Sequence, residues 1–151
     1  MIGNLTETAM DEVLKGNVLG RIGCHEGNKT YIVPINYAYD GKSIIAHSAE
    51  GLKIDMMRKN PLVCFEIDQM KSFTDWRSVI LWGRFEEIMD EDDQRSAMKF
   101  FVDRMMHLRL SETAIPQTKE GTDSLRHTSG RIKSVVFRIV ITEKTGRFEK
   151  E

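Results

Sequence analysis

Thr30-Tyr-Ile-Val-Pro-Ile-Asn-Tyr-Ala-Tyr39, then Asp40-Gly41-Lys42, then Ser43-Ile-Ile-Ala-His-Ser48 is the stretch that decides how this chain folds. β-Branched and aromatic residues dominate both flanking runs, and the turn between them carries Asp-Gly, a pair that tolerates the positive φ of a tight hairpin. Two strands joined by a turn follow from that pattern. Pro34 lacks a ladder donor, which assigns its position to a strand edge, a bulge or a bend. After Ser48 the period changes. Glu50 to Asn60 spaces Leu52 and Met56, with Ile54 and Met57 beside them, as a short helix that stops at Asn60-Pro61.

Working towards the N-terminus, Val18 to His25 reads as a preceding strand and Glu26 to Lys29 as its turn, so three successive strands are expected to form a meander. Asn4 or Thr6 can cap a first helix that opens with Glu7 and ends at Gly16. Towards the C-terminus, Leu62 to Ile67 alternates as a fourth strand, and Met70 to Asp75 reads as a loop. Trp76 to Ile88 is a long fifth strand in which Gly83 marks a bulge or a close approach. Asp90 to Leu110 is the longest helix, capped by Asp90 and carrying a methionine-rich apolar stripe that reads as core packing. Ser111 to Arg131 is polar and without a period, as in a lid or mobile loop, and Ile132 to Thr142 is a sixth strand. The expectation is a mainly β fold with flanking helices, a six-stranded antiparallel barrel forming a single domain over residues 1–151.

Composition narrows the function. In 151 residues, 40% are hydrophobic and 30% charged, the balance of a globular domain with a real core. Basic and acidic residues number 22 and 23, leaving a net charge of −1 and no broad positive field for nucleic acid. The polar Met1 to Gly16 segment and the lack of long apolar runs point to a cytoplasmic protein with no membrane partner. Cys24 and Cys64 lie far apart in apolar segments, as buried thiols would, and no cysteine or histidine spacing suits a metal. Neither G-x-G-x-x-G nor G-x-x-x-x-G-K-S/T occurs.

His47-Ser48-Ala49-Glu50-Gly51-Leu52-Lys53 holds the densest chemistry. It runs from a strand end into a helix start, where free main-chain N–H groups favour an anion. Ser48 adds a hydroxyl, Lys53 an ammonium and His47 a ring nitrogen, while Gly51 permits close approach. Such a set can hold a phosphate monoester. An ordinary strand-to-helix turn with a solvated lysine has the same residues.

Tyr31-Ile-Val-Pro-Ile-Asn-Tyr37, Ile45-Ala-His-Ser-Ala49, Gly51-Leu-Lys53, Asn60-Pro61 and Trp76-Arg-Ser-Val-Ile80 with Gly83-Arg84, in this order, resemble the flavin-binding core of the pyridoxamine 5′-phosphate oxidase-like split-barrel family. The branch they most resemble holds nitroimidazole-resistance proteins and flavin-nucleotide-binding proteins, and Val136 to Phe148 is similar to its closing strand. The resemblance implies a homodimer with FMN in clefts between the subunits. It places the phosphate on His47, Ser48 and Lys53. It lays Pro34, Ile35, Asn36 and Tyr37 along the isoalloxazine with main-chain groups towards the ring, and brings Trp76, Arg77, Ser78 and Val79 to the flavin, in some members from the other subunit.

Two departures bear on activity. Leu52 occupies one place of a basic pair that oxidases proper carry before the shared lysine, and Thr145 to Glu151 lacks their arginine- and proline-containing ending. Pyridoxamine phosphate oxidation is therefore not the implied reaction. The resemblance implies instead an FMN flavoprotein reducing a small acceptor, nitroaromatic or quinone-like. Two alternatives stay open: a non-catalytic FMN carrier or redox sensor, and a haem-binding relative.

Overall fold

The computed structural model describes residues 1–113 and 134–151. The stretch read as a lid lies almost wholly outside the described residues. Eight strands and three helices follow in the order β1 (Ile2–Asn4), α1 (Glu7–Lys15), β2 (Leu19–Glu26), β3 (Lys29–Asn36), β4 (Ala38–Tyr39), β5 (Ser43–Ser48), α2 (Leu52–Lys59), β6 (Leu62–Ser72), β7 (Asp75–Glu87), α3 (Glu91–Thr113) and β8 (Val135–Glu149). All pairings are antiparallel, and the sheet runs β3-β2-β6-β7-β8-β5-β4, with β1 added to β8.

That order explains the curvature. β3 and β4 are opposite edges of the sheet, yet only Tyr37 separates them in the chain. Seven strands laid flat would hold those edges roughly 29 Å apart, whereas two consecutive peptide units span about 7 Å. The sheet must therefore roll until its edges meet at Tyr37. The edges share no ladder, so the barrel is split. Tyr37 is wholly buried: its N–H donates to Val18 O at 2.9 Å, its hydroxyl to Leu14 O at 2.8 Å, and its ring meets Phe65 edge-on at 5.2 Å.

The class of fold agrees with the sequence reading, and four details correct it. The described residues hold eight strands instead of six, because Ile2–Asn4 pairs with the end of β8 and the second predicted strand breaks at Tyr37. The meander is not continuous. β3 pairs with β2 and β4 with β5, but the break at Tyr37 sends the two hairpins to opposite edges of the sheet, and β5 pairs on its other side with β8 from Ser43↔Val140 to Ser48↔Val135. The loop expected over Met70 to Asp75 is mostly strand, because β6 and β7 form a long hairpin closed at Ser72↔Asp75. The closing strand runs past Thr142 to Glu149, flexed where its register shifts opposite Trp82/Gly83. A Cβ on Gly83 would run into the Val140 carbonyl, so that glycine permits the close passage of β8. Gly41, at φ 97°, supplies the predicted turn, with Asp40 accepting from the N–H groups of Lys42 and Ser43.

The barrel interior is filled by alternate strand residues, among them Ile22, Phe65, Ile67, Leu81, Phe137 and Ile139. α1 closes one end. Thr6 caps it by accepting from Ala9 N–H, and Met10, Val13 and Leu14 enter the core. α3 covers the outer face of β4, β5 and β8, where Ala97 and Phe101 meet Ala38, Ile45 and Val136. No helix among the described residues is long and apolar enough to cross a membrane.

Candidate functional site

β5 alternates as a strand between two packed layers must. Ile44 and Ala46 face the barrel interior, and Ile45 faces α3. His47 shares the α3 side with Ile45. Its ring stands perpendicular to Phe101 at 4.9 Å, and burial lowers its pKa, so the imidazole is neutral at pH 7. Neither ring nitrogen has a hydrogen-bond partner among the described residues. At Ser48 the strand ends, and the hydroxyl donates to Ala49 O at 2.9 Å.

Ala49, Glu50 and Gly51 form an exposed bridge to α2. Gly51 is extended, at φ 175° and ψ −170°, and gives the helix no side-chain cap. Its carbonyl receives Asp55 N–H, so the N–H groups of Leu52, Lys53 and Ile54 have no partner inside the helix. Lys53 is half-buried and has no ion pair or hydrogen bond among the described residues. It lies near the Cys24 thiol, whose pKa is raised by burial and by Cys64 against the pull of this ammonium. An uncapped helix start, a hydroxyl and an unneutralised ammonium thus occur within six residues. Glu50 is the one carboxylate between Ser48 and Lys53, and Arg58 holds both its oxygens.

Pro34 to Asn36 lie at the end of edge strand β3. Of the edge, bulge or bend that its missing donor allowed, Pro34 takes the edge, opposite Arg21, and is exposed with Asn36, while Ile35 packs half-buried on the core. Beyond the break at Tyr37, the ladder pairs Ala38 with Ile45, two residues before His47. The end of β3 and the end of β5 thus flank the split.

The third predicted segment sits elsewhere. Trp76 Nε1 donates to Glu149 Oε2 at 3.0 Å, Arg77 Nε to Gln69 Oε1 at 3.0 Å, and Ser78 Oγ to Glu66 Oε1 at 3.1 Å. Val79 is wholly buried, its main chain between the β6 and β8 ladders. Trp76 and Arg77 line a cavity of about 290 Å³ with Lys71, Phe148 and Lys150. On β8, Val136 faces His47 and Glu149 faces Trp76, thirteen residues apart, or roughly 40 Å of strand path. Within one chain His47, Ser48 and Lys53 follow one another where β5 passes into α2, whereas Trp76 to Val79 pair with the far end of β8.

Sequence reasoning missed an apolar groove on the outer face. Ile32, Gly23, Cys64 and Trp82 form one cross-strand row over β3, β2, β6 and β7. Gly23 has no side chain, so a groove of about 470 Å³ opens between Ile32, 67% exposed, and Trp82, 40% exposed. Leu62 and Ile80 extend the apolar surface. The alternation of Ile80 and Trp82 on one strand was the available signal, but sequence alone does not say which face meets solvent. Cys64 is half-buried on this outer face, whereas Cys24 belongs to the buried core.

The sequence model described as pyridoxamine 5′-phosphate oxidase matches residues 6–148. A curated but uncharacterised protein of Rhizobium meliloti is 40% identical over 76 residues, half of each chain. The crystal structure of an FAD-binding protein from Mesorhizobium loti superposes with a TM-score of 0.76 at 28% identity, covering 100% of this chain and 98% of that one. The FAD- and haem-binding protein of Mycobacterium smegmatis shares the fold at a TM-score of 0.70 and 16% identity, covering 97% of this chain and 72% of that one.

Proposed function

The chain belongs to the pyridoxamine 5′-phosphate oxidase family, and from that premise we propose that it is a flavoprotein, a homodimer that binds FMN between subunits and passes electrons to a small acceptor. The observation that carries the reading is the β5–α2 bridge, where Lys53 stands unneutralised beside three helix N–H groups that lack intrahelical partners. A phosphate monoester satisfies both at once.

The ring would lie along the split, against the main chain of Pro34 to Tyr37. The two segments lie opposite β8 positions thirteen residues apart, Val136 and Glu149, which favours a site that takes them from two chains. The groove between Ile32 and Trp82 supports a second copy as the partner, because pairing that face covers apolar surface and an exposed sheet at once. Bound flavin supplies the redox chemistry, and the chain supplies binding, orientation and access. Nitroaromatic or quinone-like compounds are the proposed acceptors. The Mesorhizobium loti relative is described as FAD-binding, so FMN and FAD are to be titrated side by side.

Mixed dimers test the shared site. Lys53→Ala and Trp76→Ala chains should each bind FMN weakly alone. Co-refolded, they should recover tight binding in about one site per mixed dimer, because one site then has both native residues. If mixing recovers no tight site, Lys53 and Trp76 do not serve one flavin across the interface.

A further inference from the structure

We propose that Arg58 is a positioning residue for the anion site, one that keeps the carboxylate of the binding loop off the bound phosphate. The proposal rests on the assignment of residues 48–53 as the phosphate segment. Glu50 sits inside that segment, two residues before the first N–H group of α2. A free carboxylate there opposes a phosphate, since like charges at contact range repel whatever else the loop offers.

Arg58 removes the conflict from two turns further along α2. Its NH1 donates to Glu50 Oε2 at 2.8 Å and its NH2 to Glu50 Oε1 at 2.9 Å, a parallel fork that takes both oxygens. The same guanidinium takes a second carboxylate, Glu87 at the end of β7, through Nε at 3.1 Å and through NH2. One cation thus serves two acids beside the loop, while Lys53, the cation inside the loop, pairs with neither. This division of labour leaves Lys53 for a ligand. Lysine could not replace Arg58 in it, because an ammonium lacks the planar fork.

A clamp that only tied α2 to β7 would look the same, and charge separates the two roles. FMN and riboflavin differ by the phosphate, so a lost electrostatic shield weakens FMN alone, and removing the exposed acid restores it. Arg58→Met should weaken FMN about tenfold with riboflavin affinity within about twofold of wild type. Adding Glu50→Gln to that variant should restore most of the loss. Glu50→Gln alone, which keeps Arg58 in place, should bind FMN at least as tightly as wild type and gives a readout even if Arg58→Met does not fold. Equal weakening of both ligands by Arg58→Met, or weaker FMN binding in Glu50→Gln, would overturn the role of Arg58. Wild-type protein that holds FMN no better than riboflavin would remove the phosphate assignment and this role together. A wild-type preference for FMN that survives Arg58→Met unchanged would remove this role alone.

Discussion

Replacing Lys53 by alanine removes one ammonium from the start of α2 and breaks no hydrogen bond or ion pair seen among the described residues. The side chain is half-buried, and no carboxylate neutralises it. Its loss should therefore leave thermal stability unchanged, or raise it slightly by removing an unpaired, partly desolvated charge. The cost should fall on the ligand. A charge-assisted hydrogen bond to phosphate is worth about 1.5–3 kcal/mol, and at about 1.4 kcal/mol per decade FMN should bind roughly tenfold to a hundredfold more weakly. Riboflavin has no phosphate and should bind as before. Quenching of flavin fluorescence in parallel titrations measures both affinities. Repeating the FMN titration at higher salt should shrink the difference between wild type and variant, because ions screen an exposed charge pair. Equal weakening of FMN and riboflavin would refute the reasoning, as would a fall in melting temperature large enough to show that Lys53 serves the fold.

Asp11 supplies a pH prediction. Burial alone would raise its carboxyl pKa, but hydrogen bonds from Lys144 and Tyr39 outweigh burial and hold it below the ordinary aspartate value. A carboxyl depressed in the folded state adds stability above its unfolded pKa and loses it as pH falls through the folded one. Wild type should melt a few degrees above Asp11→Asn at pH 7, for about 1 kcal/mol, and that lead should shrink below about pH 4 in paired melting curves; a lead that grows on acidification would contradict it. His47→Ala removes an edge-on ring contact with Phe101 worth about 0.5–1.5 kcal/mol, so its melting temperature should drop by a few degrees. If His47 also touches the flavin, FMN affinity or flavin reduction should change in the folded variant, and unchanged binding and reduction would confine this histidine to packing.

Local signals were legible wherever one segment settles its own conformation. The caps at Thr6 and Asp90, the turn at Asp40-Gly41 and the helix stop before Pro61 all follow from chemistry within a few residues. Register over long distances was not. Nothing in Ser43 to Ser48 announces that, besides its hairpin neighbour, it pairs with a strand near the other end of the chain. The break at Tyr37 was hidden for the same reason, because its cause is a buried hydroxyl on Leu14 O and a ring on Phe65, both remote in sequence. In the candidate site, the motif His47 to Lys53 was readable as chemistry, since its residue types and spacing are local. Arg58 reads as one more surface cation until the fold brings Glu87 to it.

The central claim is that two chains share one flavin at each of two sites. Purified protein mixed with excess FMN, separated from free ligand by size-exclusion chromatography and read by light scattering and absorbance together, tests it most directly. The account predicts the mass of a dimer with flavin bands co-eluting at about one flavin per chain, and no Soret band. A colourless protein, or flavin travelling with a monomer, would contradict it.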